Sequence, residues 1–379
     1  MAAQPSVGRR TTLTDSAARS QPNEGRIAGH LLKITRERTG HTQQQFAEAL
    51  RMDTTSVQGW ESGRRPLTAI SVGKLREVRR TLLRMGADPG LLVLLGEATD
   101  ADTLISYALS GRSGSDLHEH PLAGWVVNRD TTHMIAWSLT GKAPAAFPPS
   151  TSTKTRRRGP VADAPLLGAD ERIALFAHLR WAAELGHRAG DAGALLRRQA
   201  LYLCSYDEAP DTASWLADMR RHLAAPTRGR WTPHWADYRS VAAGMTRHGN
   251  LDGIHAFLSY GMDDIGETAN LNYWAYWLGL DPLPRADDSF MVARSNSWDR
   301  LALLRRLTDR LQPHLGCIDL NVRSVWSLIG SRPGLLAADP ALNTALGQRV
   351  CDLLDSDVVS RRSRADLESV HYGLRLHRV

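Results

Sequence analysis

Residues 42–66, TQQQFAEALRMDTTSVQGWESGRRP, restrict the local fold more than any other part of the chain. Thr42, with Gln45 three positions on, fits a capping box, which satisfies two free N–H donors at a helix start. Phe46, Ala47 and Leu50 then share one face of a short helix. Arg51, Met52 and Asp53 are left for a turn. Asp53 or Thr54 can cap a second helix that turns Val57 and Trp60 inward. Gly63 ends it, because glycine takes the left-handed terminal conformation without steric cost. Two short helices joined by a tight turn, followed by Arg64 and Arg65, predict a helix-turn-helix.

Charge singles out the same region. The chain carries a formal net charge of +7 over 379 residues. Residues 25–84 hold 12 Lys and Arg against 5 Asp and Glu, a surplus of seven. Residues 169–379 hold 25 of each sign, the first 24 give +1, and residues 85–168 give −1. A positive field confined to one small unit is what attraction to a phosphate backbone requires.

The segment resembles the phage-repressor-like helix-turn-helix family, the XRE type. The likeness rests on Gln43, Phe46-Ala47, Val57 with Trp60, Glu61-Ser62-Gly63 and Arg64-Arg65, and covers about residues 25–86, under a fifth of the chain. It implies a regulator of bacterial transcription whose partner is double-stranded DNA, bound as a homodimer on half-sites one helical turn apart. Residue by residue, it implies that Gln43 meets a phosphate and braces the second helix of the motif. Thr54, Thr55 and Gln58 reach base edges, and Arg64 and Arg65 grip the backbone. Gln44 and Ser56 complete the expected DNA-contacting set. Arg36 and Glu61 match an internal ion pair between the first and third helices. Two positions depart from the pattern. Arg51 stands where the family usually turns on glycine. Gly59 leaves a gap where a base-reading side chain is common, so specificity leans on DNA shape as well.

The expected fold is mainly α, in five segments. Residues 1–24 are polar and read as a disordered arm rather than a secretory signal. The helix-turn-helix unit takes residues 25–86. Residues 87–143 form a connector, in which Trp125-Val126-Val127 and Met134–Trp137 flank the polar run Asn128–Thr132 and predict a small β-hairpin. Residues 144–168, with Pro, Ser, Thr and Arg156-Arg157-Arg158, predict a flexible linker. Residues 169–379 predict a multi-helix bundle of eight to ten helices, with caps at Asp170, Thr232, Asp339 and Ser363. That bundle would dimerise, sense a small-molecule or protein effector, or both.

Other function classes find little support. The longest apolar run, residues 91–95, is far too short for a membrane span, and the expected setting is the cytoplasm and nucleoid. Cys204, Cys317 and Cys351 are few and scattered, which suits buried apolar roles better than disulfides or zinc. No cofactor or metal is expected. The sequence has no GxSxG, no glycine-rich phosphate loop and no HExxH, so an enzyme is not expected. Eight of eleven tryptophans lie beyond residue 168, and Tyr273, Trp274, Tyr276 and Trp277 crowd one helix as core or as the wall of an effector pocket. The alternative function is an interaction protein whose helical bundle does the work, with DNA binding as a tether.

Overall fold

The computed structural model describes residues 24–111, 116–149, 164–223, 225–293 and 297–376. The expected arm over residues 1–24, except Glu24, lies outside the described residues, as does residues 150–163 of the expected linker with its three arginines. Every regular element among the described residues is a helix. The first five are α1 (Arg26–Arg38), α2 (Gln43–Ala49), α3 (Thr54–Glu61), α4 (Val72–Arg84) and α5 (Pro89–Leu109).

Local chemistry sets these boundaries. The Thr42 hydroxyl accepts the Gln45 N–H while Gln45 Oε1 accepts the Thr42 N–H, so the expected capping box is present. Ser71 caps α4 by accepting from Lys74, and Asp88 caps α5 ahead of Pro89. Leu91, Leu92, Leu94, Leu95, Ala98, Ala101, Leu104 and Ile105 are all buried, so α5 is apolar around most of its girth. Such a helix must be covered on several sides. It packs on α1, and also on α7 (Arg129–Thr140) and α8 (Ala169–Arg188).

One polar side chain of α5 is buried among these apolar ones. Asp102 is 4% exposed, and its two carboxylate oxygens accept the backbone N–H groups of Ile27 and Ala28, each at 2.9 Å. Gly25 offers no side-chain cap for α1, so α5 supplies one from 74 residues away. Arg26 adds a second tie, with a bidentate pair to Glu171 of α8 at 2.7 Å and a bond to Leu166 O at 2.8 Å.

The connector is helical, which corrects the expected β-hairpin. Short α6 (Pro121–Gly124) leads into an extended stretch and then α7. Asn128, read as a turn residue, is the N-cap of α7 and accepts the Thr131 N–H at 2.9 Å, with Asp130 in the first turn. Asn and Asp serve turns and helix starts alike, so the polar run carried two meanings. The extended stretch finds partners outside itself: Val126 N–H donates to Arg285 O, Val127 N–H to Gln199 Oε1, and the Tyr276 hydroxyl to Val126 O. Gln199 Nε2 donates back to Leu122 O and Trp125 O.

The rest is a helical assembly. After α8 come α9 (Ala194–Cys204), α10 (Thr212–Arg221), α11 (Pro233–Met245), α12 (Asp252–Tyr260), α13 (Asp264–Trp277) and α14 (Arg300–Asp309). They are followed by α15 (Ile318–Ser331), α16 (Leu335–Ala338), α17 (Pro340–Leu354) and α18 (Arg361–Leu376). Asp339 caps α17 as expected. The other caps shift: Gly168 with Glu171 opens α8 in place of Asp170, Thr232 makes no side-chain cap, and the Ser360 hydroxyl receives the Ser363 N–H. A single cluster of buried apolar side chains runs from Ile27 to Leu374. Buried pairs of Arg197 with Asp237 and of Arg198 with Asp288 tie α9 to α11 and to the turn after α13. Cys204 is fully enclosed, which pushes its thiol pKa up and keeps it unreactive. No helix among the described residues is long and apolar enough to cross a membrane.

The Asp102 cap has a testable signature. Burial pushes its carboxyl up to about 7, against the two N–H donors and Arg26, which pull it down. The folded chain therefore binds this proton more tightly than the unfolded chain, whose Asp titrates near about 4. Its contribution to stability falls as pH rises from about 4 to about 7 and is flat above that window. Urea unfolding across pH 4–8 will show this slope in the parent protein and a flatter one in Asp102→Asn. Asp102→Ala, which orphans both α1 donors, will lose about 1–3 kcal/mol.

Candidate nucleic-acid interface

The interface is built by fixing three short helices to one another. Ile27, Ala28, Leu31, Leu32, Phe46, Ala47, Leu50, Val57, Trp60 and Leu67 are nearly sealed from solvent and form the core of α1 to α3. Close approach of α1 to α3 depends on Gly29, where a Cβ would stand 2.1 Å from Trp60 O. Gly63 ends α3 with φ of +77°, and a Cβ there would meet Arg26 N at 2.8 Å. Any larger residue at either position has to push the helices apart.

Between the helices lies a polar lock. Arg36 Nε donates to Glu61 Oε1 at 2.6 Å and Arg36 Nη2 to Oε2 at 2.8 Å. Their side chains are 7% and 2% exposed. Arg36 Nη1 also holds His41 O at 2.7 Å, and Gln43 Nε2 donates to Glu61 Oε2 at 2.8 Å. The ion pair expected between the first and third helices is therefore present, and Gln43 braces α3 through the same carboxylate. A bidentate guanidinium–carboxylate pair has a fixed orientation, so this lock sets the angle of α3 as well as its position.

The turn between α2 and α3 closes despite having no glycine. Arg51 takes φ of 51°, a conformation that costs a non-glycine residue about 1–2 kcal/mol. Arg51 N–H bonds to Glu48 O and Met52 N–H to Ala47 O, each at 3.0 Å. This is the paired bonding of a Schellman ending, so the strained conformation of Arg51 lets its own N–H and that of Met52 satisfy two helix carbonyls. Asp53 stands at the N-cap of α3 without a side-chain bond.

The outer face of α3 carries Thr55 and Gln58, both exposed, with Thr54 and Ser56 half-exposed beside them. Val57, Trp60 and Glu61 fill the opposite face. Gln44 is exposed on α2 and donates to Glu48 at 3.0 Å, while Gln43 is half-exposed. Arg64 and Arg65 are exposed just past α3; Arg64 Nε touches Ser62 Oγ at 3.1 Å.

Gly59 offers no side chain to that surface, but it is not a bare spot either. It is buried under the stem of Arg65, whose Cδ would lie 3.0 Å from a Cβ at position 59. The Arg65 N–H donates to Gly59 O at 3.0 Å, and Arg65 Nη1 reaches Ser56 Oγ at 3.3 Å. The missing side chain thus makes room for a guanidinium lying along α3. Gly29 and Asp102 were not singled out in the sequence. A glycine in the interior of a predicted helix was the available signal for Gly29; Asp102, beside Asp100 and Thr103, carried none.

With this geometry in hand, comparison with known proteins is specific to one end of the chain. Residues 27–94 match the family model described as a helix-turn-helix domain. No curated protein and no solved structure matches the chain. The N-terminal part is thus a helix-turn-helix domain, consistent with the phage-repressor-like type, and it suggests a DNA-binding regulator. Among the described residues, no group of His, Cys, Asp and Glu is placed to hold a metal ion.

The lock predicts a non-additive pair of substitutions. Arg36→Met leaves a buried carboxylate without its cation and will cost about 3–5 kcal/mol in urea unfolding. The double variant Arg36→Met/Glu61→Met will lose less than Arg36→Met alone, because no charge is stranded.

Proposed function

We propose that the protein is a sequence-specific transcriptional regulator of bacterial type that seats α3 in the major groove of double-stranded DNA. The observation that carries this is the division of α3 into two faces. Its inner face is fixed by packing and by the Glu61 lock, while Thr54, Thr55, Ser56 and Gln58 are left at least partly exposed on the other. A rigid rod presenting short polar side chains is suited to base edges: Gln58 pairs with adenine, and the threonine methyls meet thymine methyls. Gln43 and Gln44, at the start of α2, contact the backbone with Arg64, and Arg65 runs beside the reading face. Exposed Arg51, Arg76, Arg80 and Arg84 add to the positive field of the unit.

In this account residues 25–86 read DNA, residues 87–143 connect, and residues 169–379 serve as a homodimerisation or effector domain. The dimer follows from the family resemblance and matches a two-fold operator with half-sites about one helical turn apart. Effector sensing is supported by contacts that reach α1. Arg38 Nη1 donates to Pro148 O at 2.6 Å, Phe147 stacks edge-on against Trp137 at 5.1 Å, and Trp137 against His30 of α1 at 5.2 Å. Pro148 and Phe147 line a large cavity formed largely by the C-terminal helices.

Variants on the reading face separate specificity from affinity. On DNA fragments selected by the protein itself, Thr55→Ala and Gln58→Ala will lower the preference for cognate over random DNA by about 1–3 kcal/mol each and change random-DNA binding little. Equal losses on both kinds of DNA exclude base readout by these residues. Arg64→Ala will weaken both kinds alike and reduce the slope of log affinity against log salt by about 1. An unchanged slope removes Arg64 from the phosphate contacts.

A further inference from the structure

The cavity behind Phe147 has about 1290 Å³ of volume. That exceeds the roughly 300–1,000 Å³ of ordinary small-molecule sites. Its lining is unusual in charge. Five arginines, 129, 239, 247, 306 and 310, face two aspartates, and Asp130 is already paired with Arg129. Among the described residues, Arg239, Arg247 and Arg310 form no ion pair with any carboxylate. Arg239 is 4% exposed; its Nε donates to Asn270 Oδ1 at 3.0 Å, and its Nη2 has no hydrogen-bond partner. Arg310 Nε is likewise buried without a partner.

These cations lie on an aromatic wall. Arg239 stands 4.2 Å from the Tyr273 ring centre and 5.1 Å from that of Trp274, and Arg310 stands 4.8 Å from Trp274. Arg247 is held by the hydroxyls of Ser205, Tyr202 and Tyr206 at 2.6–2.9 Å. Aromatic faces and hydroxyls orient a guanidinium but do not neutralise it. Arg239 is desolvated and Arg310 partly so, while Arg247 adds a third, more exposed positive charge to the same cavity; a buried cation beside like charges is costly unless an anion completes the site.

We propose that this cavity binds an organic oxyanion, a molecule carrying a phosphate or carboxylate on a flat apolar body. The oxyanion bridges the guanidinium forks of Arg239, Arg247 and Arg310, which match its geometry. The flat part lies against Trp277, Leu94 and Leu320 on the apolar wall. Desolvation lowers the proton affinity of Arg239 and Arg310, in keeping with cations that lack a counter-ion.

The inference rests on the effector-sensing part of the function proposed above, and its test uses no DNA, so failure here leaves the DNA-reading claim untouched. Tryptophan fluorescence and thermal unfolding of the full chain are followed during titration with AMP, pyrophosphate and citrate at fixed ionic strength, with adenosine as the uncharged control. AMP should give a saturable fluorescence change and raise Tm, and adenosine should give neither. The ranking of pyrophosphate against citrate distinguishes phosphate from carboxylate. Arg310→Met should weaken AMP binding at least tenfold without lowering the ligand-free Tm, since it removes an unpaired cation. Arg239→Met should also lose binding, and Arg310→Met decides alone if that variant does not fold. No saturable response to any of the three anions, or an unchanged response in Arg310→Met, overturns the proposal.

Discussion

The carboxylate of Glu61 is the point on which the N-terminal architecture turns. It takes both prongs of Arg36 from α1 and the amide of Gln43 from α2 while standing at the last position of α3. Three helices too short to be stable alone thus share one buried acceptor. The apolar core could be satisfied by several helix rotations, but the bidentate pair admits few. Gly29 and Gly63 let the backbones come close enough for that pair to form.

The same unit is tied to the rest of the chain by polar contacts at the start of α1. Asp102 caps α1 from α5, and Arg26 reaches Glu171 and Leu166. The far end of α1 bonds to Pro148 through Arg38. Both ends of α1 therefore touch segments that belong to the larger helical assembly. An element held at both ends is suited to carry a change in that assembly to α3, through packing rather than through a flexible tether.

Much of the reading unit was legible in sequence because its signals are local. The capping box at Thr42, the left-handed turn at Arg51, the stop at Gly63 and the inward pair Val57 and Trp60 each follow from a few neighbouring residues. The hairpin failed because Asn128–Thr132 fits a turn and a helix start equally, and long-range partners such as Gln199 and Arg285 decided between them. The cover over Gly59 was not legible for a similar reason: the stem that lies on it comes from Arg65, past the end of the helix. The cavity was hidden as well. Tyr273, Trp274 and Trp277 are buried like core and also line the cavity, so a core stripe and a cavity wall have the same sequence pattern. Nothing in the sequence marks Arg239 and Arg310, and only the fold shows that each buries a guanidinium nitrogen without a hydrogen-bond partner.

The central claim is that α3 reads base edges from the major groove. Selection of bound fragments from a random duplex pool, followed by interference mapping with guanine-N7 methylation, tests it directly. The account predicts a shared motif in the recovered DNA and loss of binding when guanines within that motif are methylated on the major-groove edge. Recovery of fragments with no common motif, or binding indifferent to major-groove methylation and blocked only from the minor groove, would contradict it.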